Sequence, residues 1–539
     1  MTKKKKKFKK NIIFLLPLLV AYYVSSFYFV NQIYFYNSSK SFMTYVVNGL
    51  VILTGLSLVI FTFSGLKCIK KNKSKKYVIY YIFLILFLAA EIFTTYNIKK
   101  INASLSKITN KSKGYSTSLI ALKESNIKSE KDIDGKKIGI IDDENNIEGY
   151  ILAYEIIDEL SIEKENLITY NDFDVMISEL YNKKVDMIFV SSSYVSMFSS
   201  IDEFSDIGEK TNIVYEKSRK KKKTETANTK LLTEPISILI MGVDSDTDSL
   251  EKSNSFNGDT LILITFNPNT MNATILSIPR DTRVPIVCTK YKSKNKINSS
   301  AYYGADCVVD TVSELTDIKI DYWVKVNFQG VVSLVDAVGG IDVDVPYAFC
   351  EQNSKRKFGN STIYVEEGFQ TLNGEQALAF ARNRHTWPQY CGRKYSNYTS
   401  NDFVRGQNQQ TIIKAILSKI KNVKSLSEIY AILDVMGENI DTNIDKDVMI
   451  SGFDTFKNII FNSKNINSED FIGTQRLYLS GYDHMIDGIY YFEYYEKSLK
   501  EIKTAMKVNL EIEDPIMDKE FSFSINKPYE DIQIGKGTY

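Results

Sequence analysis

Three apolar stretches crowd the N-terminal part of the chain, at 12–30, 42–66 and 77–95. Each is long enough to cross a hydrocarbon core of roughly 30 Å as a helix. A helix satisfies its own backbone hydrogen bonds in lipid, so this part is predicted as three transmembrane helices. The first lacks a clear small-residue cleavage site and a second span follows at once, so it is expected to stay as an anchor and not to leave as a signal peptide. Lysine placement sets the orientation. Seven lysines (Lys3 to Lys7, Lys9 and Lys10) precede the first span, and Lys40 alone separates the first from the second. Six (Lys67, Lys70, Lys71, Lys73, Lys75, Lys76) separate the second from the third. Excess Lys and Arg mark cytoplasmic loops. The N-terminus is therefore expected in the cytoplasm of a multi-pass cell-membrane protein, with everything from about residue 97 outside. Glu91, near the outer end of the third span, is expected to reach the interface.

At 539 residues the chain should hold more than one domain, and its net charge of +2 argues against nucleic acid as a partner. Only two histidines occur, His385 and His484. That argues against a His-ligated zinc site and a Ser-His-Asp triad, so any general base is expected to be Asp or Glu. Of five cysteines, Cys68 closes an apolar span and Cys288, Cys307, Cys350 and Cys391 fall in one downstream region. In an outward-facing domain these four permit two disulfides in three pairings. Cys288–Cys307 and Cys350–Cys391 are favoured because each closes a loop locally; free thiols are the alternative.

The fold class read from the pattern is α/β: three membrane helices (1–96), a small α/β accessory lobe (97–217), a linker (218–234), an α/β domain with a mixed sheet flanked by helices (235–513), and a poorly ordered tail (514–539). Within the lobe, 97–118 reads as a Ser/Lys/Asn-rich connector. Strands are predicted at 136–141 and 185–190, and helices at 148–160 and 172–182. The string Lys131-Asp132-Ile133-Asp134-Gly135-Lys136-Lys137-Ile138-Gly139 resembles the opening of a half-domain of extracellular solute-binding proteins. A trap of that kind binds between two lobes, so a lone lobe is expected to be an accessory module. Lys-rich 218–230 reads as a flexible linker, with contact to an anionic polymer as the alternative. Downstream, 236–243 is a continuous apolar strand, and 260–267 and 273–278 form a hairpin about Asn267-Pro268-Asn269-Thr270. Strands follow at 322–326 and 341–345, with a helix at 328–338 stopped by Gly339-Gly340. Asn373-Gly374-Glu375-Gln376 forms a capping box, and Asp402 is expected to cap the helix that follows it.

The chemistry sits in three short segments. They are Asn257-Gly258-Asp259-Thr260, then Ser277-Ile278-Pro279-Arg280-Asp281-Thr282-Arg283, then Ala381-Arg382-Asn383-Arg384 with Asp402-Phe403-Val404-Arg405. Guanidiniums repel one another, so a convergent Arg set beside carboxylates points to a multiply charged anion with a divalent metal. Asp244 ends one apolar strand and Asp259 begins the next; a pair of carboxylates there can hold Mg²⁺, while Asp244 alone would merely cap a turn. Arg280, aimed by Pro279, suits bidentate phosphate binding. Arg382 and Arg384 point the same way if extended and diverge if helical. Asp402, Arg405 and Gln409 share one helix face, with a pure N-cap as the other reading of Asp402. His385 and Trp387 read as loop packing.

In combination these residues resemble the LytR–CpsA–Psr proteins of bacterial cell-envelope assembly. The matching strings run in family order. They are Ile240-Met241-Gly242-Val243-Asp244, Gly258-Asp259-Thr260, Leu276-Ser277-Ile278-Pro279-Arg280-Asp281-Thr282, Lys296-Ile297-Asn298, Asp321-Tyr322-Trp323-Val324-Lys325-Val326-Asn327-Phe328, Leu334-Val335-Asp336-Ala337-Val338-Gly339-Gly340-Ile341, Leu372-Asn373-Gly374-Glu375-Gln376-Ala377-Leu378-Ala379-Phe380-Ala381-Arg382 and Asp402-Phe403-Val404-Arg405. The three-span anchor with an accessory lobe is similar to the capsule-type branch. The resemblance implies transfer of a glycopolymer, such as teichoic acid or capsule polysaccharide, from a polyprenyl-pyrophosphate carrier onto peptidoglycan. It implies Mg²⁺, with Mn²⁺ as a substitute, on Asp244 and Asp259. It implies pyrophosphate binding by Arg280, Arg382, Arg384 and Arg405, head-group contact by Gln409, and a catalytic group of Arg280, Asp281, Asp402 and Arg405. The family often has Arg-Ser where Asn257-Gly258 stand, which leaves one phosphate contact either missing or supplied by Arg283. It often has His where Ser299 stands, and 386–400 is an insertion that can shape acceptor choice. Pyrophosphate hydrolysis of the same lipid and a non-catalytic envelope regulator are the alternatives, separated by product analysis.

Overall fold

The computed structural model describes residues 3–37, 43–71, 74–109, 113–198, 201–221, 230–243, 255–396, 401–420, 426–452, 473–486 and 488–514. The predicted tail beyond Asp514 and residues 222–229 of the predicted linker lie outside them. Two compact units form: residues 1–107 with 231–233 and 445–464, and the remainder.

In the first unit, helices Lys3–Ile33, Met43–Lys71 and Ser74–Thr109 carry three stretches long and apolar enough to cross a membrane. Leu15, Tyr22, Phe61, Tyr80 and Leu84 pack between them. Their polar groups satisfy one another. Tyr22 Oη meets Ser57 Oγ at 2.6 Å, and Tyr80 Oη donates to the Phe61 carbonyl. Glu91 has a partner on the first helix. Ser26 donates to both its carboxylate oxygens, at 2.8 and 3.0 Å, because an acid among apolar helices is cheapest beside a hydroxyl.

In the second unit, the accessory lobe is a five-stranded sheet. Its strands are β1 (Lys113–Leu122), β2 (Ile138–Ile141), β3 (Leu167–Tyr170), β4 (Met187–Ser191) and β5 (Thr211–Lys221), in the order β3-β2-β4-β1-β5. β2 lies parallel to β3 and β4, and β1 antiparallel to β4 and β5. Strand alternation sends Leu119 and Ala121 to one core and Ile120 and Leu122 to the other. Two expectations change here. The 97–118 connector is instead the end of the third helix and the start of β1. The 218–230 linker begins later, because β5 pairs through Lys221 opposite Lys113. The helix predicted over 148–160 opens as a π-helical turn, Ile147–Ile151, before Leu152–Glu159.

The larger sheet has six strands. β6 (Ile236–Val243), β7 (Gly258–Asn267) and β8 (Asn272–Ile278) form its centre, flanked by Tyr322–Asn327 with Ile440–Thr442 and by Gly473–Tyr478. It is mixed, as expected: β6-β7 and β7-β8 are antiparallel, and the flanking pairs β6 with Tyr322–Asn327 and β8 with Gly473–Tyr478 are parallel. One face packs Leu239, Met241, Leu263 and Leu276 against helices Ala305–Thr316 and Glu496–Asn509. The opposite face receives helix Asp402–Ile420, where Gln410 donates to Ser277 Oγ. The capping box forms at Asn373 and Gln376 as predicted, opening helix Gly374–Arg382. The next helix begins at Asp402, and the cap is Asn401, whose side chain accepts from Val404 N at 3.0 Å. Both expected disulfides are present, Cys288–Cys307 and Cys350–Cys391.

Candidate active site

The β7-β8 register builds the site. Leu261 pairs with Ile278, so two residues further out Asp259 and Arg280 meet at one end of the sheet. Arg280 Nη1 lies 2.7 Å from Asp259 Oδ1, with the two side chains 11% and 18% exposed. Arg280 Nε lies 3.5 Å from Asp281 Oδ2. Lys296 Nζ reaches the other oxygen of Asp281 at 2.9 Å. Asn257 donates its amide to Asp259 Oδ2 at 3.1 Å.

Helix Asp402–Ile420 supplies the second wall. It approaches closely because residue 406 is glycine: a Cβ there would stand 3.1 Å from Ser277 Cβ. Arg405 and Gln409, one turn apart, then face the strands, and Gln409 donates to Thr260 Oγ1 at 2.9 Å. A cleft of about 400 Å³ opens between them, lined by the polar side chains of Asp259, Arg280, Arg405 and Gln409 and by Phe403, Leu261, Ile278 and Leu479, of which Phe403 is exposed and the other three are buried in the core.

Burial works to raise the Asp259 pKa. The guanidinium of Arg280 opposes it, followed by those of Arg405 and Arg384, and the carboxyl is held below its ordinary range. Three of the predicted arginines thus act on one carboxylate. The other two are placed differently. Arg382 ends helix Gly374–Arg382, donates to the Asn353 carbonyl and lies 4.5 Å over the Phe328 ring. Arg283 pairs with Glu493 at 3.1 Å and faces Tyr491, so neither lines the cleft. Arg384 leaves the helix and donates from Nε to His385 Nε2 at 2.8 Å, giving that histidine a role beyond packing. Asp244 and the side chain of Asp402 lie outside the described residues. Among the described residues, no three His, Cys, Asp or Glu side chains cluster as metal ligands.

Sequence reasoning left out Lys296 and Asn257. Lys296 had a signal, since it stands in the Lys-Ile-Asn string. Asn257 was noted only as a departure, yet it holds Asp259 where the family often has arginine and serine before the aspartate.

The LytR_cpsA_psr family model matches residues 204–508, and a model described as NMT1/THI5 like matches 101–221. The polyisoprenyl-teichoic acid–peptidoglycan teichoic acid transferase TagV of Bacillus subtilis (strain 168) is 32% identical over 278 residues. That is 51% of this chain and 65% of TagV, so the match spans slightly less than two thirds of that relative. TagU of the same strain, a transferase of the same description, is 33% identical over 55% of this chain and 84% of its own. The solved structure of B. subtilis TagV aligns with 52% of this chain and 99% of that chain, at 30% identity and a TM-score of 0.41.

Proposed function

We propose a function from one premise, that this chain belongs to the LytR_cpsA_psr family: it moves a glycopolymer of the teichoic acid class from a polyprenyl-pyrophosphate carrier onto peptidoglycan at the outer face of the cell membrane. The observation that carries this reading is the pairing of Arg280 with Asp259 in a cleft that Arg405 also lines, with Arg384 near enough to help hold the Asp259 carboxyl below its ordinary range. A lipid pyrophosphate presents a dense negative charge beside a hydrocarbon chain; Arg280 and Arg405 are suited to the first, and the exposed Phe403 is the apolar side chain beside them. The three apolar helices support a membrane-anchored enzyme, and the lysine distribution supports a cytoplasmic N-terminus.

The chemistry follows from positioning and charge. An acceptor hydroxyl oxygen attacks the phosphorus attached to the glycan. The bond from that phosphorus to the bridging oxygen breaks, polyprenyl phosphate leaves, and a phosphodiester forms. Negative charge grows on the leaving phosphate, where preorganised guanidiniums stabilise it. Arg280 is held for this by Asp259 and Asp281, and Gln409 by Thr260. A carboxylate, Asp402 in this reading, takes the hydroxyl proton. Asp259, kept ionised by its guanidinium neighbours, fits a metal ligand, and with Asp244 it would hold Mg²⁺. When bound, the ion would neutralise further charge on the phosphate oxygens.

The test is to incubate the purified full chain with a polyprenyl-pyrophosphate-linked glycan, with and without Mg²⁺ and a peptidoglycan acceptor, and to follow products by mass spectrometry beside Arg280→Ala. Mg²⁺-dependent transfer that vanishes in the variant is expected. Release of free phosphorylated glycan without transfer would replace this reading with hydrolysis. Lipid binding with neither product would replace it with a regulator.

A further inference from the structure

The accessory lobe is wired into the loops that carry the active site. Glu148 sits on the lobe's π-helical turn and is 2% exposed. One of its oxygens accepts from Ser116 N on β1 at 2.9 Å, and the other from Ser255 N at 3.1 Å. Ser255 lies four residues before Asp259, and its hydroxyl donates to the Tyr302 carbonyl at 2.7 Å. Tyr302 belongs to the large domain, yet its ring packs into the lobe's core, 5.8 Å from Phe173 and 5.2 Å from Phe198.

A second set of bonds runs along 288–295. Asn145 donates to the Cys288 carbonyl, and Asp143 accepts from Lys290 N. Asp142 accepts from Lys290 Nζ and Tyr291 Oη, and Asp172 accepts from Asn295 Nδ2 at 2.8 Å. The next residue is Lys296, which grips Asp281. Ile297 N and Asn298 N then donate to the carbonyls of Thr282 and Arg280, at 2.8 and 3.2 Å. The two loops that hold Arg280 from either side, 255–259 and 290–303, are both fastened to the lobe.

We propose that the lobe is a positioning element of the anion site, and that Glu148, bridging Ser116 N and Ser255 N, is the positioning residue that fixes the Asp259 segment against Arg280. This rests on the reading of that cleft as a pyrophosphate site. Loss of the bridge frees the 255–258 segment, Asp259 moves, and the guanidinium it orients is no longer preorganised. A buried carboxylate that accepts from the backbone on both sides is suited to this, since removing it breaks both bonds at once.

The test uses the full chain in detergent, with hydrogen exchange of the 255–261 peptide and calorimetric binding of inorganic pyrophosphate with Mg²⁺. Glu148→Ala should raise exchange there about tenfold and weaken pyrophosphate about tenfold; Glu148→Gln, which keeps one acceptor oxygen, should recover part of both. In an Asp259→Ala background the same substitution should change affinity less than about twofold, because the group it positions is gone. Unchanged exchange and affinity in Glu148→Ala overturn the proposal, as does equal loss of affinity in both backgrounds. Should Glu148→Ala unfold the lobe, full pyrophosphate affinity would overturn it and weakened affinity would support it. Should wild type not bind pyrophosphate, the functional reading fails, and the exchange of 255–261 alone decides whether the lobe holds that segment.

Discussion

Burial raises the Asp259 pKa, and the guanidiniums of Arg280, Arg405 and Arg384 outweigh it and hold the carboxyl below its ordinary range. Its folded pKa lies below the unfolded one, so it contributes stability that is present above the ordinary carboxylate range and lost as pH falls through the folded value. In Arg280→Ala the largest opposing charge goes and Asp259 keeps its burial. Melting curves against pH should then show acid destabilisation starting at higher pH, with about 2–4 kcal/mol lost near neutrality, as for breaking a partly buried pair. Asp174 behaves in the opposite sense. Burial and the neighbouring Asp172 push it up to about 8, and its Oδ1 takes no hydrogen bond. The folded state therefore holds the extra proton between roughly pH 4 and that value, and stability falls as pH rises across the window. Asp174→Asn should flatten this slope and raise Tm at pH 9 by a few degrees; a lower Tm there would disprove it. Asp259 and Arg280 stood out in the sequence by residue type and strand-end placement, but their ion pair did not, because it follows from the β7-β8 register. Asp174 did not stand out, since burial of a helix-start aspartate depends on what packs over it.

At the scale of elements, periodicity found those whose own side chains bury them. The 260–278 hairpin, the alternating Ile341–Val345 strand and the capped helix Gly374–Arg382 came through almost unshifted. β1 and β5 were missed in part for a physical reason. The first half of β1 is buried through Ser116, Thr117 and Ser118, the last two with hydroxyls bonded internally, and the end of β5 is a run of basic residues with no apolar side chain to signal a strand, held by backbone pairing and by ion pairs of Lys217 and Arg219 with Glu155 and Glu159. Two elements carry predictions. Gly406 lets its helix touch β8; Gly406→Val should push Arg405 and Gln409 off the cleft and weaken pyrophosphate binding about tenfold or more, with Gly406→Ala milder. Cys288–Cys307 closes a loop with a sequence separation of 19 that carries the lobe's contacts and Lys296. A loop of that size is worth about 3 kcal/mol of unfolded-state entropy. The Cys288→Ser, Cys307→Ser double variant should melt roughly 6–12 °C lower, measured by calorimetry.

For the whole molecule, the anchor decides which compartment the cleft faces, and the disulfides and the orientation answer to the same constraint. The two disulfides of the larger unit fit an oxidising compartment, which is where the proposed orientation puts it. The lysine count supports that placement independently, through seven charges before the first apolar span and six between the second and third spans against one between the first and second. Neither argument uses the chemistry of the site, so their agreement is a test of the reading and not a restatement of it. The orientation makes a prediction of its own. In right-side-out vesicles a membrane-impermeant amine reagent should label lysines of the outer unit, such as Lys183 and Lys394, and spare the 67–76 loop until the bilayer is permeabilised. Replacing the six lysines of that loop by glutamine while adding lysines around Lys40 should put part of the population in the inverted topology, because the bias that sets orientation is then reversed. In that inverted fraction the four outer cysteines should be recovered as thiols, read by alkylation and mass. Labelling of the 67–76 loop in intact wild-type vesicles would place the outer unit on the cytoplasmic side and remove peptidoglycan as an accessible acceptor.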